Sequence, residues 1–224
     1  MLELINPETI ANKKWRKKLK DAGVKGGWNY AIDHAWFYEK IDTYIAERPS
    51  ITPIVLDVGC GNGMLHTFLE EDLHLGIIGI DRIFGHCPFN ERDKRMDLCI
   101  DFLENKMFNE SADIVYWCSS IEHNTIQKIK ACITKSFEAL KPGGLFLATF
   151  AVSPVTHWSE MHDATNLSIK DAEEIFQDKF EGVADFEIIV KEYLKNPFGI
   201  MDLYLKRFGH SDIEYIVGAV AKIK

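Results

Sequence analysis

The chain has 224 residues, of which 46% are hydrophobic and 27% charged. That balance excludes a disordered, collagenous or disulfide-scaffold protein and is enough to bury a full core. Acidic residues number 34 against 26 basic ones, for a formal charge of −8; such a surface repels phosphate backbones, so no nucleic-acid partner is expected unless a local basic patch supplies one.

The N-terminal residues show no basic segment leading into an apolar one, so no secretory signal is expected. Positions 9–22 carry a basic cluster (Lys13, Lys14, Arg16, Lys17, Lys18, Lys20) with Ile10, Trp15 and Leu19 roughly on one helical face. Gly23, Gly26 and Gly27 interrupt it. Helix-compatible sequence returns over 28–47 and ends before Pro49 and Pro53. Short apolar runs then alternate with helical patterns. Strands are predicted at 54–58, 77–80, 95–98, 113–117, 145–151, 186–193 and 214–223. Helices are predicted at 65–73, 126–140 and 168–180, the last opening on Ser168 as an N-cap. A turn is predicted at 141–144. This alternation predicts an α/β fold, a Rossmann-like doubly wound seven-stranded sheet, mostly parallel, with an antiparallel C-terminal edge hairpin. No internal boundary divides the chain. It reads as one domain: an N-terminal helical lid region (1–50), a cofactor-binding core (51–152), and a substrate-side segment with the closing hairpin (153–224). The longest apolar run, 143–152, falls short of a membrane span. Five cysteines, with no pair at metal-binding spacing, predict reduced thiols, no metal site and a cytoplasmic location.

The decisive stretch is Val55-Leu56-Asp57-Val58-Gly59-Cys60-Gly61-Asn62-Gly63. A buried strand runs into three glycines and a helix follows. Glycines allow a sharp turn and the close approach of a ligand, and the helix start offers free N–H groups. The next strand ends in Asp81, 22 residues after Gly59, where a carboxylate can accept hydrogen bonds from ribose hydroxyls. A dinucleotide fingerprint requires a glycine at position 64, which is Met64.

With its glycine loop and Asp81, the chain resembles the class I S-adenosylmethionine-dependent methyltransferases, in particular the small-molecule, type 11-like family. Three further stretches carry the resemblance: Met96-Asp97-Leu98, the segment from Ala112 to His123 with its Glu122-His123 pair, and Ala139-Leu140-Lys141-Pro142-Gly143-Gly144. The resemblance implies S-adenosylmethionine as cofactor. It implies that Gly59, Cys60 and Gly61 cradle the methionine end and that Asp57 orients the loop. Asp81 would hold the ribose, Arg82 and Ile83 would flank the adenine, and Asp97 with Leu98 would read it. Asp101 also fits that last role if the third strand is shifted in register. Cys118 and Ser119 would line the methyl end. An acidic pocket there would favour the cationic cofactor over its neutral thioether product.

The implied reaction is methyl transfer to an oxygen or nitrogen of a small polar metabolite; the Trp/Tyr-rich N-terminal helix also resembles methyltransferases of saccharide and secondary-metabolite pathways, which implies a sugar-like acceptor. An alcohol acceptor needs a base. His123, His157 and His162 are the candidates, and Tyr30, His34 and Tyr38 are candidate lid contacts. A base methylase would carry (D/N)PP(Y/F) after the fourth strand, where Cys118-Ser119-Ser120-Ile121 stands instead. A non-catalytic cofactor-binding module and an RNA or protein methyltransferase remain open alternatives at the level of sequence.

Overall fold

The computed structural model describes residues 1–5, 30–61, 64–82, 96–160, 163–180 and 216–224. Two elements precede the glycine loop's strand: β1 (Leu2–Leu4) and α1 (Tyr30–Ala46). The core then runs β2 (Ile54–Val58), α2 (Met64–Leu73), β3 (Gly76–Asp81), β4 (Met96–Cys99), β5 (Ala112–Trp117), α3 (Ile126–Ala139) and β6 (Leu140–Val152). The chain continues through β7 (His157–Ser159), β8 (Ala164–Asn166) and α4 (Ile169–Phe176) to β9 (Ile216–Ile223).

The main sheet has the order β1-β9-β6-β5-β2-β3-β4. The pairs β2–β3, β3–β4, β2–β5 and β5–β6 are parallel; β9 is antiparallel to both β6 and β1. The period of two along each strand explains the two hydrophobic cores, since successive side chains point to opposite faces. On β5, Val115 and Trp117 enter one core while Ile114 and Tyr116 enter the other. On β6, Phe146, Ala148 and Phe150 oppose Leu145 and Leu147 in the same way. Helices α1 and α2 cover the second core, and α3 and α4 the first. A parallel sheet survives only when helices bury both faces, which the crossover connections supply.

From β2 the chain steps outward to β3 and β4, then returns to the other side of β2 as β5. The strand order therefore reverses between β2 and β5. In an open parallel sheet this is where loops diverge and leave a crevice at the carboxyl ends.

Six of the seven predicted strands are present among the described residues, not seven; the segment 186–193 lies outside them. The sheet's seventh member is β1, three residues too short to show a period in sequence, which pairs Leu2 with Val220 and Leu4 with Gly218. The predicted turn at 141–144 is also different: it forms the start of β6, where the pairing register jumps from Ala112↔Leu140 to Ile114↔Leu145. Gly143 absorbs this irregularity at φ 78°. The segment after β6, for which no element is predicted before 168, folds into the β7–β8 hairpin. Helix α4 starts as expected, with Ser168 Oγ accepting from the Asp171 N–H. The basic cluster at 9–22 lies outside the described residues.

Candidate active site at the carboxyl ends of the strands

A cavity of about 720 Å³ opens at the strand-order reversal. Its floor is the corner after β2. Gly59 and Gly61 hold φ of 72° and 52°, in the left-handed region that favours glycine. The Gly59 and Cys60 N–H groups donate to the carbonyl of Ile80 at 2.7 and 3.2 Å, tying the corner to β3. Asp81 Oδ2 accepts the Gly61 N–H at 3.1 Å. The strand-end carboxylate and the glycine corner thus form one unit. Asp57, buried beneath it, faces the Tyr116 hydroxyl and lies 3.9 Å from His66 Nδ1. Burial, with Asp57 alongside, pushes the Tyr116 hydroxyl's pKa well up.

The far wall is the segment after β5. Cys118, Ser119 and Ser120 all line the cavity. Ser119 stands at φ 45°, an uncommon conformation for a residue other than glycine. Two contacts hold it: its N–H donates to Thr149 Oγ1 at 3.0 Å, and its Oγ donates to Asp33 Oδ2 of α1. Ser120 Oγ donates to the Val58 carbonyl at 2.8 Å, joining this wall to the floor.

Helix α1 closes the cavity from the second-core side. His34 lines it, whereas Asp33 is buried behind Ser119. Burial pushes the Asp33 carboxyl up to about 7 against the opposing pull of the Ser119 and Thr149 hydroxyls. It pushes Glu122, after β5, up to about 8, with the backbone opposing and Asp33 adding a little. Burial also pushes the Cys118 thiol well up, reinforced by Asp33, Asp57 and Glu122, so Cys118 is an inert wall rather than a nucleophile. His34 moves down, to about 4, and is therefore neutral near pH 7.

The remaining predicted residues divide sharply. Arg82 lines the mouth of the cavity; Ile83 and His162 lie outside the described residues. Leu98 packs against the first core. The side chain of Asp97 is not described, but its backbone pairs with Gly79, two positions short of Asp81. The residue level with Asp81 is Cys99, so the tip of β4 falls beyond Leu98. Ile100, Asp101, Phe102 and Leu103 line the cavity there, and Asp101 Oδ1 accepts the Leu103 N–H at 2.9 Å. Asp101 thus stands at the cavity, beyond the end of β4.

His123 lines the cavity, exposed, with Nδ1 2.8 Å from the Asp163 carbonyl. A carbonyl only accepts, so the neutral ring carries its proton on Nδ1 and its lone pair on Nε2. His157 is instead engaged within the hairpin: Nδ1 faces the Val155 carbonyl at 3.0 Å and Nε2 faces Asn166 Nδ2 at 3.4 Å. It is not among the cavity's lining residues. Tyr38, a predicted lid contact, is buried and donates to Asp72 of α2. Sequence reasoning missed Asp33 as a site residue. Its only signal was an acid on the apolar side of an aromatic-rich helix.

Residues 55–144 match the family described as Methyltransferase domain. Within the chain, that stretch, from β2 to the start of β6, is what resembles a methyltransferase domain. The resemblance read from the glycine loop agrees with that match. No curated protein matches the chain by sequence. Among solved structures it is similar to the [4+2]-cyclase SpnF (15% identity, TM-score 0.58, covering 89% of this chain and 83% of that one). It is also similar to phosphoethanolamine N-methyltransferase 2 of Haemonchus contortus in complex with S-adenosyl-L-methionine (19%, TM-score 0.53, 83% and 52%). A third is a SAM dependent methyltransferase from Archaeoglobus fulgidus (14%, TM-score 0.53, 85% and 94%). These likenesses concern the fold. One of the three is a cyclase, so the chemistry must be argued from this chain's own cavity.

Proposed function

We propose that the chain transfers a methyl group from S-adenosylmethionine to an oxygen or nitrogen of a small polar metabolite bound beside Ser119 and His123. The observation that carries this reading is the unit formed by Gly59, Gly61 and Asp81, with Asp101 at the tip of the neighbouring strand. It offers a corner without side chains next to two carboxylates one strand apart, which suits a nucleoside with an amino-acid tail. The cavity's size is within the range of small-molecule sites.

Gly59, Cys60 and Gly61 would receive the methionine end by backbone contact, with Asp57 supporting the corner from below. Asp81 would accept from the ribose hydroxyls and Asp101 from the adenine amino group, between Arg82 and Phe102. Asp101 is preferred to Asp97 for this role because it lines the cavity. Cys118 and Ser119 would flank the methyl end.

The cofactor supplies an activated methyl group through its sulfonium. The protein must hold the acceptor in line with it, exclude water and, for an alcohol, take a proton. His123 Nε2 is the best-placed base, since it lines the cavity with its other nitrogen fixed. His34, neutral and buried, is suited to hydrogen bonding rather than charge. The reading takes the chain as one domain, with α1 as its lid. No helix among the described residues is long and apolar enough to cross a membrane. The free thiols of Cys60, Cys118 and Cys132 support a cytoplasmic location.

Incubation of the protein with S-adenosylmethionine and panels of sugar-like, alcohol and amine acceptors tests this function. Formation of S-adenosylhomocysteine that depends on one such acceptor is the expected result. Cofactor binding without turnover on any acceptor class would favour a non-catalytic module.

A further inference from the structure

Asp33 and Glu122 stand behind the cavity wall and do not touch its lumen, yet both are buried acids of a kind that folding ordinarily avoids. Asp33 is completely buried and Glu122 is 7% exposed. Asp33 reaches the wall through Ser119, whose Oγ donates to it. Glu122 lies between cavity-lining Ser120 and His123, and its Oε2 has no hydrogen-bond partner. Both acids act electrostatically on the cavity-lining thiol of Cys118. Among the described residues no basic group acts on either: Asp33 responds to burial and two hydroxyls, and Glu122 to burial, its own backbone and Asp33.

Two buried carboxyls without a counter-charge are costly unless they stay protonated or a cation arrives. We propose that Asp33 and Glu122 read the charge of the ligand at the methyl end of the cavity, favouring the cationic sulfonium cofactor over its neutral thioether product. The proposal rests on the methyltransferase reading above. In water, one charge on sulfur is heavily screened. Behind a buried wall the same charge is felt far more strongly, so the acids can separate two ligands that differ by one methyl group and one positive charge. Loss of that charge in the reaction removes the attraction and promotes exchange of product for fresh cofactor.

The discrimination must depend on pH, because the free protein holds both acids largely protonated below neutrality. The titratable groups around them are identifiable. Cys118, just past β5, senses both acids together with Asp57 of β2, and His34 adjoins Asp33 on α1. His123, bonded to the Asp163 carbonyl, adjoins Glu122. On α2, which packs against α1, His66 lies near Asp57 and Glu70, and Asp72 accepts from Tyr38. On β1, Glu3 pairs with Lys40 and accepts from Trp36.

The test is calorimetric titration of the full chain with S-adenosylmethionine and, separately, S-adenosylhomocysteine across a pH series. The two ligands share the same amino acid and nucleoside, so the ratio of their affinities reports the sulfonium charge, and comparison with the charge-removing variants cancels the titration of the ligands' own amino groups. For the wild type the ratio should shift toward S-adenosylmethionine by about tenfold or more between about pH 6 and about pH 9. Asp33→Asn keeps an acceptor for Ser119 and removes the charge, and Glu122→Gln removes the second charge independently. Each should flatten the profile while leaving S-adenosylhomocysteine affinity within a few-fold. A wild-type ratio that does not change with pH overturns the proposal even if both variants fail to fold. A profile unchanged in both folded variants also overturns it. Binding of neither ligand would overturn the methyltransferase reading itself, which distinguishes the two failures.

Discussion

Ser120 occupies the space that a side chain on Gly59 would need. A Cβ built at Gly59 would stand 2.6 Å from Ser120 Cβ and 2.8 Å from its Oγ. The corner after β2 and the segment after β5 therefore interlock, floor against wall, and the hydroxyl of Ser120 fastens them at Val58. The shape of the site depends on a glycine for two separate reasons, its positive φ and its missing methyl group.

Gly59→Ala should consequently lower stability by about 1–3 kcal/mol, from strain and overlap together, and weaken S-adenosylmethionine binding. Adding Ser120→Gly should recover the part due to overlap and leave the part due to φ. Chemical denaturation of the single and double variants measures the split; full recovery would show that backbone conformation contributes nothing.

Asp81→Ala removes the carboxylate that the Gly61 N–H donates to. Cofactor affinity should fall by more than tenfold, or roughly 1.4 kcal/mol. Calorimetry that registers no change would remove Asp81 from the ribose role.

Asp101→Ala and Asp97→Ala separate the two registers of β4. The account predicts weaker cofactor binding for Asp101→Ala, since Asp101 lines the cavity past the tip of β4, and near-normal binding for Asp97→Ala, since the Asp97 backbone pairs two positions short of Asp81. The reverse pattern would return adenine recognition to the position first read from sequence.

The buried titrating groups on α1 give stability two opposing limbs. Asp33 titrates near 7 in the fold against an ordinary 3.8, so the native state holds a proton that the unfolded chain releases. Its contribution is complete below about pH 4 and is lost as pH rises through 7, up to about 4 kcal/mol. His34 titrates near 4 against an ordinary 6.5, so its contribution is present above about pH 6.5 and is lost as pH falls toward 4. Asp33→Asn should raise the denaturation midpoint relative to wild type at about pH 8.5 and much less at about pH 5. An equal shift at both values would mean that Asp33 does not titrate in this window.

Much of this arrangement was legible in the sequence, for physical reasons. The run Val55–Val58 is buried on both faces and turns at glycine, so β2 and its corner carry a local signature that needs no tertiary information. Asp81 follows from the same logic one strand later. The tip of β4 was not legible to the residue, because four strand residues among polar neighbours have too little periodicity to fix a register. Strand β1 was invisible for the same reason: three residues pair only because β9 offers an antiparallel edge. Asp33 could not be assigned from sequence, since its contact with Ser119 joins positions 86 residues apart. His157 and His123 looked alike in sequence, and only the β7–β8 pairing turns one of them into its own hairpin.

His123→Ala should reduce turnover of an alcohol acceptor by about a hundredfold or more while cofactor affinity holds. Turnover at the wild-type rate would move the base elsewhere or show that the acceptor is an amine needing none.

Titration of the purified full chain with S-adenosylmethionine and with S-adenosylhomocysteine reaches the centre of the account. Saturable one-to-one binding of both is predicted, abolished or severely weakened by Gly61→Val in a chain whose circular dichroism is unchanged. Absence of saturable binding for either compound would contradict it.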